Sequence, residues 1–366
     1  MEKSHKFKRF YNRIRTLYYM LAIKAFHKKR YPFYVNLVIN SQCNLKCAYC
    51  FGKYSSRSQS YWKLDDLKIL IDDLYRRGTR YVLVQGGEPL LHPNIREILA
   101  YLEKKNIVSA IVSNGTLPNK FKEIRELAYL DNICFSLDGN REGNDKVRGQ
   151  GTFDKVMASI KVVKENFDTP IRINSAIHKY VINDCGFMAE FAKNNNIEWG
   201  LSYLFRGDEK LGEEDLAADD EAVRNYQRDV IEYKKQGYPI FTANKILDYT
   251  YNWPFGYGTI YVDKEKAKRE MGKNCIECQY GNYEIVIDED GRMYPCQGLQ
   301  GTFEAKNIHE VGFDEAFKHL TAKPCHTCYI PPLMNTSAMI NWDMDVIFDT
   351  VYHTFRIWFK TKNNKN

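Results

Sequence analysis

The sequence predicts an α/β protein made of a partial (β/α)6 TIM-like barrel and a small C-terminal cysteine-rich α+β domain. Strand-like and helix-like segments alternate between residues 33 and 204, which is typical of a parallel sheet with right-handed crossover connections. Turn-forming residues follow several of the strand-like segments, and five of the ten cysteines lie between residues 271 and 330. A doubly wound open sheet would produce the same alternation, so periodicity alone leaves that architecture open.

Apolar periodicity gives the order of the elements. Strands are expected at about residues 33–40, 80–84, 108–112, 131–137, 170–178 and 197–204. Helices are expected at about residues 62–77, 93–105, 118–128, 152–166 and 184–194. The chain would then divide into a basic amphipathic helix at 1–30, the barrel at 31–205, a connector at 206–270, a cysteine-rich domain at 271–330, and an amphipathic helix with a basic tail at 331–366.

Three cysteines, Cys43, Cys47 and Cys50, lie within eight residues directly after the first predicted strand. Thiolates are soft ligands suited to iron–sulfur clusters and to zinc. Three cysteines on a [4Fe–4S] cluster leave one iron open to a substrate or cofactor, whereas a zinc site normally takes four ligands. No fourth Cys or His follows nearby. The carboxyl end of a strand is also where α/β barrels place their active sites, so these cysteines are candidate ligands of a catalytic cluster.

The spacing Cys-x3-Cys-x2-Cys, with Tyr49 before the last cysteine, resembles the signature of the radical S-adenosylmethionine (radical SAM) superfamily. The resemblance implies a [4Fe–4S] cluster on Cys43, Cys47 and Cys50 whose open iron chelates the amino and carboxylate groups of S-adenosylmethionine (SAM). It also implies cleavage of SAM to a 5′-deoxyadenosyl radical, which abstracts a hydrogen atom from the substrate.

Further segments follow the predicted strands in the order of the superfamily's cofactor-binding motifs, although each alone could be an ordinary turn. The GGEP-like segment from Gly86 is expected to contact the amino group of SAM. The segments starting at Ser113 and Ser136 are expected to reach the ribose hydroxyls or the carboxylate. Arg148 could pair with that carboxylate bidentately. The cofactor contacts implied are Tyr49, Gly86, Gly87, Glu88, Ser113, Asn114, Ser136, Asp138, Arg148 and Asn174.

The second group of cysteines resembles the Twitch form of the SPASM domain, a C-terminal extension of many radical SAM enzymes. Its pattern is matched by Cys278, Gly291, Cys296 and the later pair Cys325 and Cys328. A hairpin is predicted at the turn that contains Gly291 and would bring the first two cysteines together. The resemblance implies that four thiolates close a second, auxiliary [4Fe–4S] cluster with no open iron.

Three features of the cysteines leave alternatives open. Cys275 departs from the Twitch pattern, so either Cys275 or Cys278 could be the first ligand, with the glycine spacing favouring Cys278. A zinc ribbon could instead use the two CxxC pairs, leaving Cys296 without a role. Cys185, at the start of a predicted helix, could donate a hydrogen atom to a substrate radical, or it could be a structural thiol.

Positive charge is concentrated at the N-terminus. Residues 1–30 carry ten Lys or Arg and one Glu, whereas the whole chain has a net charge of +7. Apolar residues recur there at helical spacing from Phe7 to Ala25, so the segment could lie on an anionic membrane surface or pack on the barrel. The run Leu17–Ile23 is too short for a signal peptide. Since the excess charge belongs to this leader, the sequence does not predict a nucleic-acid-binding core.

The expected function is radical SAM chemistry on a small-molecule or lipid-linked substrate, giving oxidation, epimerisation or rearrangement. A low-potential electron donor such as ferredoxin or flavodoxin is the expected partner. A cytoplasmic location, peripheral to the inner face of the membrane through residues 1–30, fits a reducing environment. A peptide-modifying SPASM-type maturase is one alternative, and a non-catalytic metal-binding scaffold is another. The sequence does not identify the substrate, the electron donor or the oligomeric state.

Overall fold

The computed structural model describes residues 2–26, 30–124, 130–204 and 216–352. Six strands run parallel to one another and lie side by side in chain order. A doubly wound sheet would reverse its strand order at a switch point, so the sequential order confirms the partial (β/α)6 barrel. The strands are β1 (Tyr34–Val38), β2 (Tyr81–Gln85), β3 (Val108–Ser113), β4 (Ile133–Ser136), β5 (Ile171–Ile177) and β6 (Glu198–Tyr203).

The helices that connect these strands confirm the five helical predictions and add one. The unpredicted helix, Arg141–Arg148, follows β4 and begins at Asn140, whose side-chain oxygen accepts a hydrogen bond from the Gly143 amide. The connecting helices follow α1 (Glu2–Phe26), which precedes the barrel. They are α2 (Leu64–Arg77), α3 (Ile95–Lys104), α4 (Pro118–Glu123), α5 (Arg141–Arg148), α6 (Thr152–Asn166) and α7 (Cys185–Asn195).

The two faces of the barrel strands have different environments. On β5 alternate residues are fully buried, and the residues between them are half-buried. The buried face packs against the outer helices, as Trp199 of β6 does against Tyr226 at a centroid distance of 6.5 Å. Because side chains alternate along a strand, the half-buried residues line the concave inner face, which we call the lumen.

The rest of the described chain contains short strands and helices that pack around this barrel. The segment predicted to be a connector contains three helices and one short strand from residue 220 onward. The elements are α8 (Asp220–Lys235), α9 (Asn244–Tyr251), β7 (Tyr261–Val262), α10 (Lys264–Met271), β8 (Glu284–Ile287), β9 (Arg292–Tyr294), β10 (Lys306–Asn307), α11 (Ile308–Val311), α12 (Phe313–His319), β11 (Thr327–Cys328), α13 (Pro331–Ile340) and α14 (344–352).

The predicted hairpin is present and is joined directly to the barrel. β8 and β9 pair antiparallel around Gly291, which has φ of 86°, and a Cβ there would lie 2.5 Å from the His309 ring. β8 also pairs in parallel with β1, so the main sheet of the described chain has the order β10-β9-β8-β1-β2-β3-β4-β5-β6. The cysteine-rich region therefore extends the same sheet that carries the first cysteine group.

Helix α1 packs across the amino ends of the barrel strands. Its Arg13 Nε donates to Asp131 Oδ1 at 2.9 Å, just before β4, and Arg15 donates to the Asn106 carbonyl, just before β3. Met20 and Ile23 are buried against the C-terminal helices. Packing on the barrel is thus what the structure shows for this helix. The sequence predicted that the apolar residues from Phe7 onward would make this contact. The structure instead uses the Arg13 side chain and leaves Phe7 exposed.

The expected C-terminal amphipathic helix is broken into two. α13 ends before Trp342, whose φ is 63° and whose indole Nε1 donates to the Leu21 carbonyl of α1 at 2.9 Å. α14 then packs through Val346 and Ile347. The predicted apolar positions 355 and 358 lie outside the described residues. No helix of the described chain is long and apolar enough to cross a membrane.

A buried carboxyl in β8 gives a testable pH dependence. Burial raises the pKa of Glu284 to about 8 from 4.5, and a hydrogen bond with the Tyr280 side chain opposes that rise only in part. The folded chain therefore holds this proton while the unfolded chain has lost it, so stability should fall as pH rises from about 4.5 to about 8. We expect Glu284→Gln to remove this loss, by a few kcal/mol near pH 9.

The measurement is urea unfolding at about pH 5 and about pH 9, at matched metal content. Glu310→Gln, on the exposed surface, is the control and should keep the wild-type pH dependence. If the stability of Glu284→Gln changed with pH as that of wild type does, the raised pKa of Glu284 would be contradicted.

Candidate active site

The loop that carries Cys43, Cys47 and Cys50 follows β1 at the carboxyl edge of the sheet and is fixed on two sides. The amides of Gly87 and Glu88 donate to the Asn40 and Gln42 carbonyls at 2.9 and 2.6 Å. On the other side, the Ala48 amide donates to the Val147 carbonyl at 2.9 Å. The loop is therefore attached both to the glycine segment after β2 and to α5.

The two glycines are required by this close approach. A Cβ on Gly86 would lie 2.1 Å from Asn40 Oδ1, and one on Gly87 would lie 2.3 Å from the Gln42 carbonyl oxygen. Any larger residue would push the segment after β1 away from the segment after β2. The sequence predicted close approach of a ligand here, and the contact that the structure shows is with the backbone just before Cys43.

Glu88 is fully buried and its carboxylate is held by the neighbouring strand end. Oε1 accepts from the Ser113 hydroxyl at 2.9 Å and from the Leu90 amide, and Oε2 accepts from the Asn114 amide at 2.7 Å. Burial raises the pKa of Glu88 to about 7, although these hydrogen bonds act in the opposite direction. The Glu88 carboxylate thus joins the ends of β2 and β3. These protein hydrogen bonds account for its position, and its contact with the amino group of SAM stays a prediction.

Asn114 connects the β3 end to the first cysteine group. Its Nδ2 donates to Asn44 Oδ1 at 2.9 Å and lies 3.9 Å from Cys43 Sγ, and its Oδ1 accepts from the Thr116 amide. Amide donors to ligating sulfurs are among the features that set the potential of an iron–sulfur cluster. Asn114 is therefore placed to act on a cluster bound at Cys43 as well as on a cofactor.

Arg148 has a protein partner in the structure. Its guanidinium makes a bidentate pair with the Asp138 carboxylate, with N–O distances of 2.7 and 2.9 Å, and both side chains are buried. Asp138 also accepts from the Tyr49 hydroxyl and the Ala176 amide. Burial alone would raise the pKa of Asp138, but the Arg148 charge outweighs it and holds that pKa below its ordinary value. The structure shows Arg148 paired with Asp138, and its pairing with the SAM carboxylate stays a prediction.

Ser136 and Asn174 lie side by side on the lumen. Ser136 of β4 is in register with Asn174 of β5, which is in register with Gly200 of β6. Both residues are half-buried, so they are available to a bound molecule.

Cys185 lies away from this lumen. It is buried between α7 and α8, with Sγ 4.0 Å from the Tyr226 carbonyl, on the outer face of the barrel. Burial raises the pKa of its thiol well above the ordinary value. The position does not suit the hydrogen-donor role considered for Cys185, and a structural thiol explains it.

The three thiols of the first group lie close enough together to affect one another's pKa. The pKa of Cys43 is raised to about 11, mainly by burial and to a smaller extent by the neighbouring Cys47 and Cys50 sulfurs. Burial also raises the pKa of Cys47, which Arg148 opposes. Metal binding must therefore displace protons from these thiols, as is usual for thiolate sites. All ten cysteines are free of disulfide bonds, which suits metal binding.

The second group consists of Cys278, Cys296, Cys325 and Cys328, all buried. Burial and the other three sulfurs raise the pKa of Cys328, so the four lie in one electrostatic neighbourhood. Cys275 is half-buried and interacts instead with Thr327 and Glu277. Among the described residues no three His, Cys, Asp or Glu side chains converge on a single metal ion. The geometry groups Cys278, rather than Cys275, with the other three.

A glutamine-rich turn after Cys296, which the sequence motifs did not predict, links the two cysteine groups. Gln297 Nε2 donates to Gln85 Oε1 at 2.6 Å, at the end of β2 just before the glycine segment. Gln300 Nε2 donates to Asp288, which also pairs with Arg57 at 2.9 Å in the segment after Cys50. No motif marks these residues, and the only signal in the sequence was the position of Gln297 beside a predicted ligand.

Comparisons with known proteins agree with this geometry. Residues 37–181 match the model of the Radical SAM superfamily. The chain is 29% identical to the Fe-coproporphyrin III synthase of Methanosarcina barkeri over 296 residues, covering 76% of this chain and 72% of the relative. It is 25% identical to the antilisterial bacteriocin subtilosin biosynthesis protein AlbA of Bacillus subtilis, covering 78% of this chain and 59% of the relative.

Solved structures share the fold at low identity. SuiB of Streptococcus suis, bound to S-adenosylmethionine, superposes with a TM-score of 0.61 at 18% identity, covering 82% of this chain and 70% of SuiB. Native anSMEcpe with bound AdoMet gives a TM-score of 0.60 at 16% identity, covering 91% of this chain and all of that chain.

Proposed function

Because this chain is an enzyme of the radical SAM superfamily, which uses a [4Fe–4S] cluster and SAM, we propose that Cys43, Cys47 and Cys50 hold the cluster that cleaves SAM. The observation that carries the proposal is the attachment of their loop to the Gly86–Glu88 segment at the carboxyl edge of the barrel. When bound, the cluster and SAM supply a 5′-deoxyadenosyl radical that abstracts a hydrogen atom from the substrate.

The side chains around that loop have distinct roles in this proposal. Gly86 and Gly87 would present backbone groups to the SAM amino group, and Glu88 keeps their loop against β3. Ser136 and Asn174 would offer polar contacts to the cofactor inside the lumen. Tyr49 is held in place through Asp138 and Arg148, so its ring forms a fixed wall beside the ligating Cys50.

We infer that Cys278, Cys296, Cys325 and Cys328 hold an auxiliary [4Fe–4S] cluster. Their common burial and the proximity of four thiols support it. The turn after Cys296 reaches Gln85 beside the SAM loop, which suits electron exchange between a substrate radical and the auxiliary cluster. A zinc site is the alternative occupant, but zinc would not exchange electrons.

The proposed reaction is hydrogen abstraction from a small-molecule substrate, followed by oxidation, epimerisation or rearrangement, with ferredoxin or flavodoxin as the electron donor. Two relatives, an Fe-coproporphyrin III synthase and an AdoMet-dependent heme synthase, favour a small organic substrate. AlbA, a bacteriocin biosynthesis protein, and SuiB, solved with its precursor peptide SuiA, keep peptide modification as the second candidate. A lipid-linked substrate, and contact of residues 1–30 with a membrane, belong to the same proposal.

Anaerobic reconstitution of wild type and Cys296→Ala tests both clusters. Wild type should bind about eight irons, and Cys296→Ala should bind about four while still cleaving SAM without forming product, because the two sites use separate ligands. Cys275→Ala, which removes a thiol outside both groups, is the matched control and should keep about eight irons.

Wild-type iron content in Cys296→Ala would remove Cys296 from the ligand set. Zinc in place of the second set of irons would replace the auxiliary cluster with a zinc ribbon. Zinc without SAM cleavage in wild type would instead support the non-catalytic scaffold.

A further inference from the structure

A lysine side chain is attached to the backbone of the second cysteine group. Lys323 Nζ donates to the Cys278 carbonyl at 2.8 Å and to the Tyr280 carbonyl at 2.7 Å. Lys323 also lies just before Cys325, and Pro324 between them favours the backbone conformation that Lys323 adopts, with φ of −54° and ψ of 140°. The cation is therefore held beside the group from two sides, through Cys278 and through Cys325.

The charge of Lys323 acts on the sulfurs beside it. It favours the thiolate form of Cys325 and so lowers the pKa of that thiol, against the larger effect of burial. Glu277, the acid adjacent to Cys278, has a side chain that is 59% exposed, so water screens its charge. Glu284 is buried and protonated at neutral pH, because its pKa is raised to about 8. Neither carboxyl group therefore offsets the Lys323 charge at neutral pH.

Backbone amides act on the same group of sulfurs. The amides of Gly298 and Leu299 donate to Cys296, and the Ile330 amide donates to Cys328. Nearby positive charge and hydrogen bonds to ligating sulfurs both favour the reduced form of an iron–sulfur cluster, because that form carries one more negative charge. Since the four thiols are at most 8% exposed, water screens these effects little.

We propose that Lys323 raises the reduction potential of the auxiliary [4Fe–4S] cluster and fixes the position of its ligand Cys278. This inference rests on the proposed function, since it requires an iron–sulfur cluster at the second cysteine group. Lys323 is a positioning residue, because it contacts backbone carbonyls and not the substrate.

A raised potential determines the direction in which an electron moves. It favours uptake of an electron by the auxiliary cluster over release. Among the outcomes of the proposed reaction it therefore favours oxidation, in which the substrate radical loses one electron to the auxiliary cluster and one proton to water.

A redox titration of reconstituted full-length protein, followed by electron paramagnetic resonance, tests the proposal. The auxiliary signal is the one that Cys296→Ala loses. Lys323→Met keeps a long side chain and removes the charge. It should lower the potential of this signal by at least about 59 mV, which corresponds to about a tenfold change in the equilibrium constant of a one-electron couple. Lys323→Arg keeps the charge and should stay close to wild type.

The matched control is Lys273→Met, because Lys273 is an exposed lysine in the segment before Cys275. This variant removes the same charge from the same region, but water screens Lys273, so the potential should equal that of wild type. SAM cleavage without substrate should be unchanged in Lys323→Met and in the control, since the proposed function assigns cleavage to the first cysteine group.

Two outcomes overturn the role of Lys323. One is a wild-type potential in Lys323→Met with about eight irons still bound. The other is an equal fall in Lys323→Met and Lys323→Arg, because geometry and not charge would then set the potential. If Lys323→Met does not assemble the second set of irons, Lys323→Gln takes its place, and a wild-type potential in that variant overturns the role equally.

Failure of the proposed function gives a different result. Zinc at the second cysteine group of wild type, with no auxiliary signal, would contradict the auxiliary cluster itself. An auxiliary signal whose potential does not depend on Lys323 would leave the cluster in place and remove only the lysine from its environment.

Discussion

Replacement of Cys43, Cys47 and Cys50 together by alanine will abolish SAM cleavage and remove about four irons per chain. The reason is that no other cysteine group in the described chain lies beside the Gly86–Glu88 segment. In the proposed arrangement the four buried thiols of the second group close a cluster of their own and would leave no open iron for SAM. We therefore expect loss of 5′-deoxyadenosine to the detection limit, measured by chromatography after reduction.

Fold integrity separates this result from unfolding. The three cysteines are half-buried in a loop, and the bonds that fix the loop are made by backbone atoms of Ala48, Gly87 and Glu88. Metal-free wild type and the triple variant should therefore have similar circular dichroism and similar melting temperatures. Residual 5′-deoxyadenosine in the variant would overturn the central assignment.

Replacement of Arg148 by methionine will destabilise the fold by about 3–5 kcal/mol, because it leaves the buried Asp138 carboxylate without its partner charge. Arg141→Met is the matched control on the same helix, since Arg141 forms a solvent-exposed, screened pair with Asp154 and its loss should leave stability close to that of wild type. Urea unfolding of metal-free protein gives both values.

A double variant and a binding measurement complete the test. Adding Asp138→Asn to Arg148→Met should recover part of the loss, because the uncompensated charge is then removed as well. If Arg148→Met keeps wild-type stability and weakens only SAM binding, Arg148 contacts the cofactor carboxylate as the family resemblance suggested, and the Asp138 pair is secondary.

Apolar runs and turn residues predicted the barrel well, because its strands are buried and glycine, proline, asparagine or aspartate follows most of them. Every predicted barrel strand is present within a few residues, and the hairpin at Gly291 was signalled by its turn. Helix α5 was missed because its polar sequence shows no apolar stripe. Its start is capped by Asn140, and Gly143 leaves space for the neighbouring segment, because a Cβ there would lie 2.5 Å from Val181 Cγ1.

Partners distant in sequence could not be predicted from local patterns. Nothing local to α1 marks Arg13, because its partner Asp131 lies 118 residues away. The Gln297 side chain likewise donates to Gln85, which is 212 residues away. The strand β7 has only two residues and is defined by its pairing with β11, not by any pattern of its own.

The parallel pairing of β8 with β1 makes the barrel dependent on the chain that follows it. Without residues beyond 271, β1 would become an unprotected edge strand whose free amide and carbonyl groups could template association with other chains. That exposed edge would also adjoin the loop of Cys43, which continues directly from β1. A fragment restricted to the barrel should therefore aggregate readily, and the cysteine-rich region acts as the built-in cover of this edge as well as a site of its own.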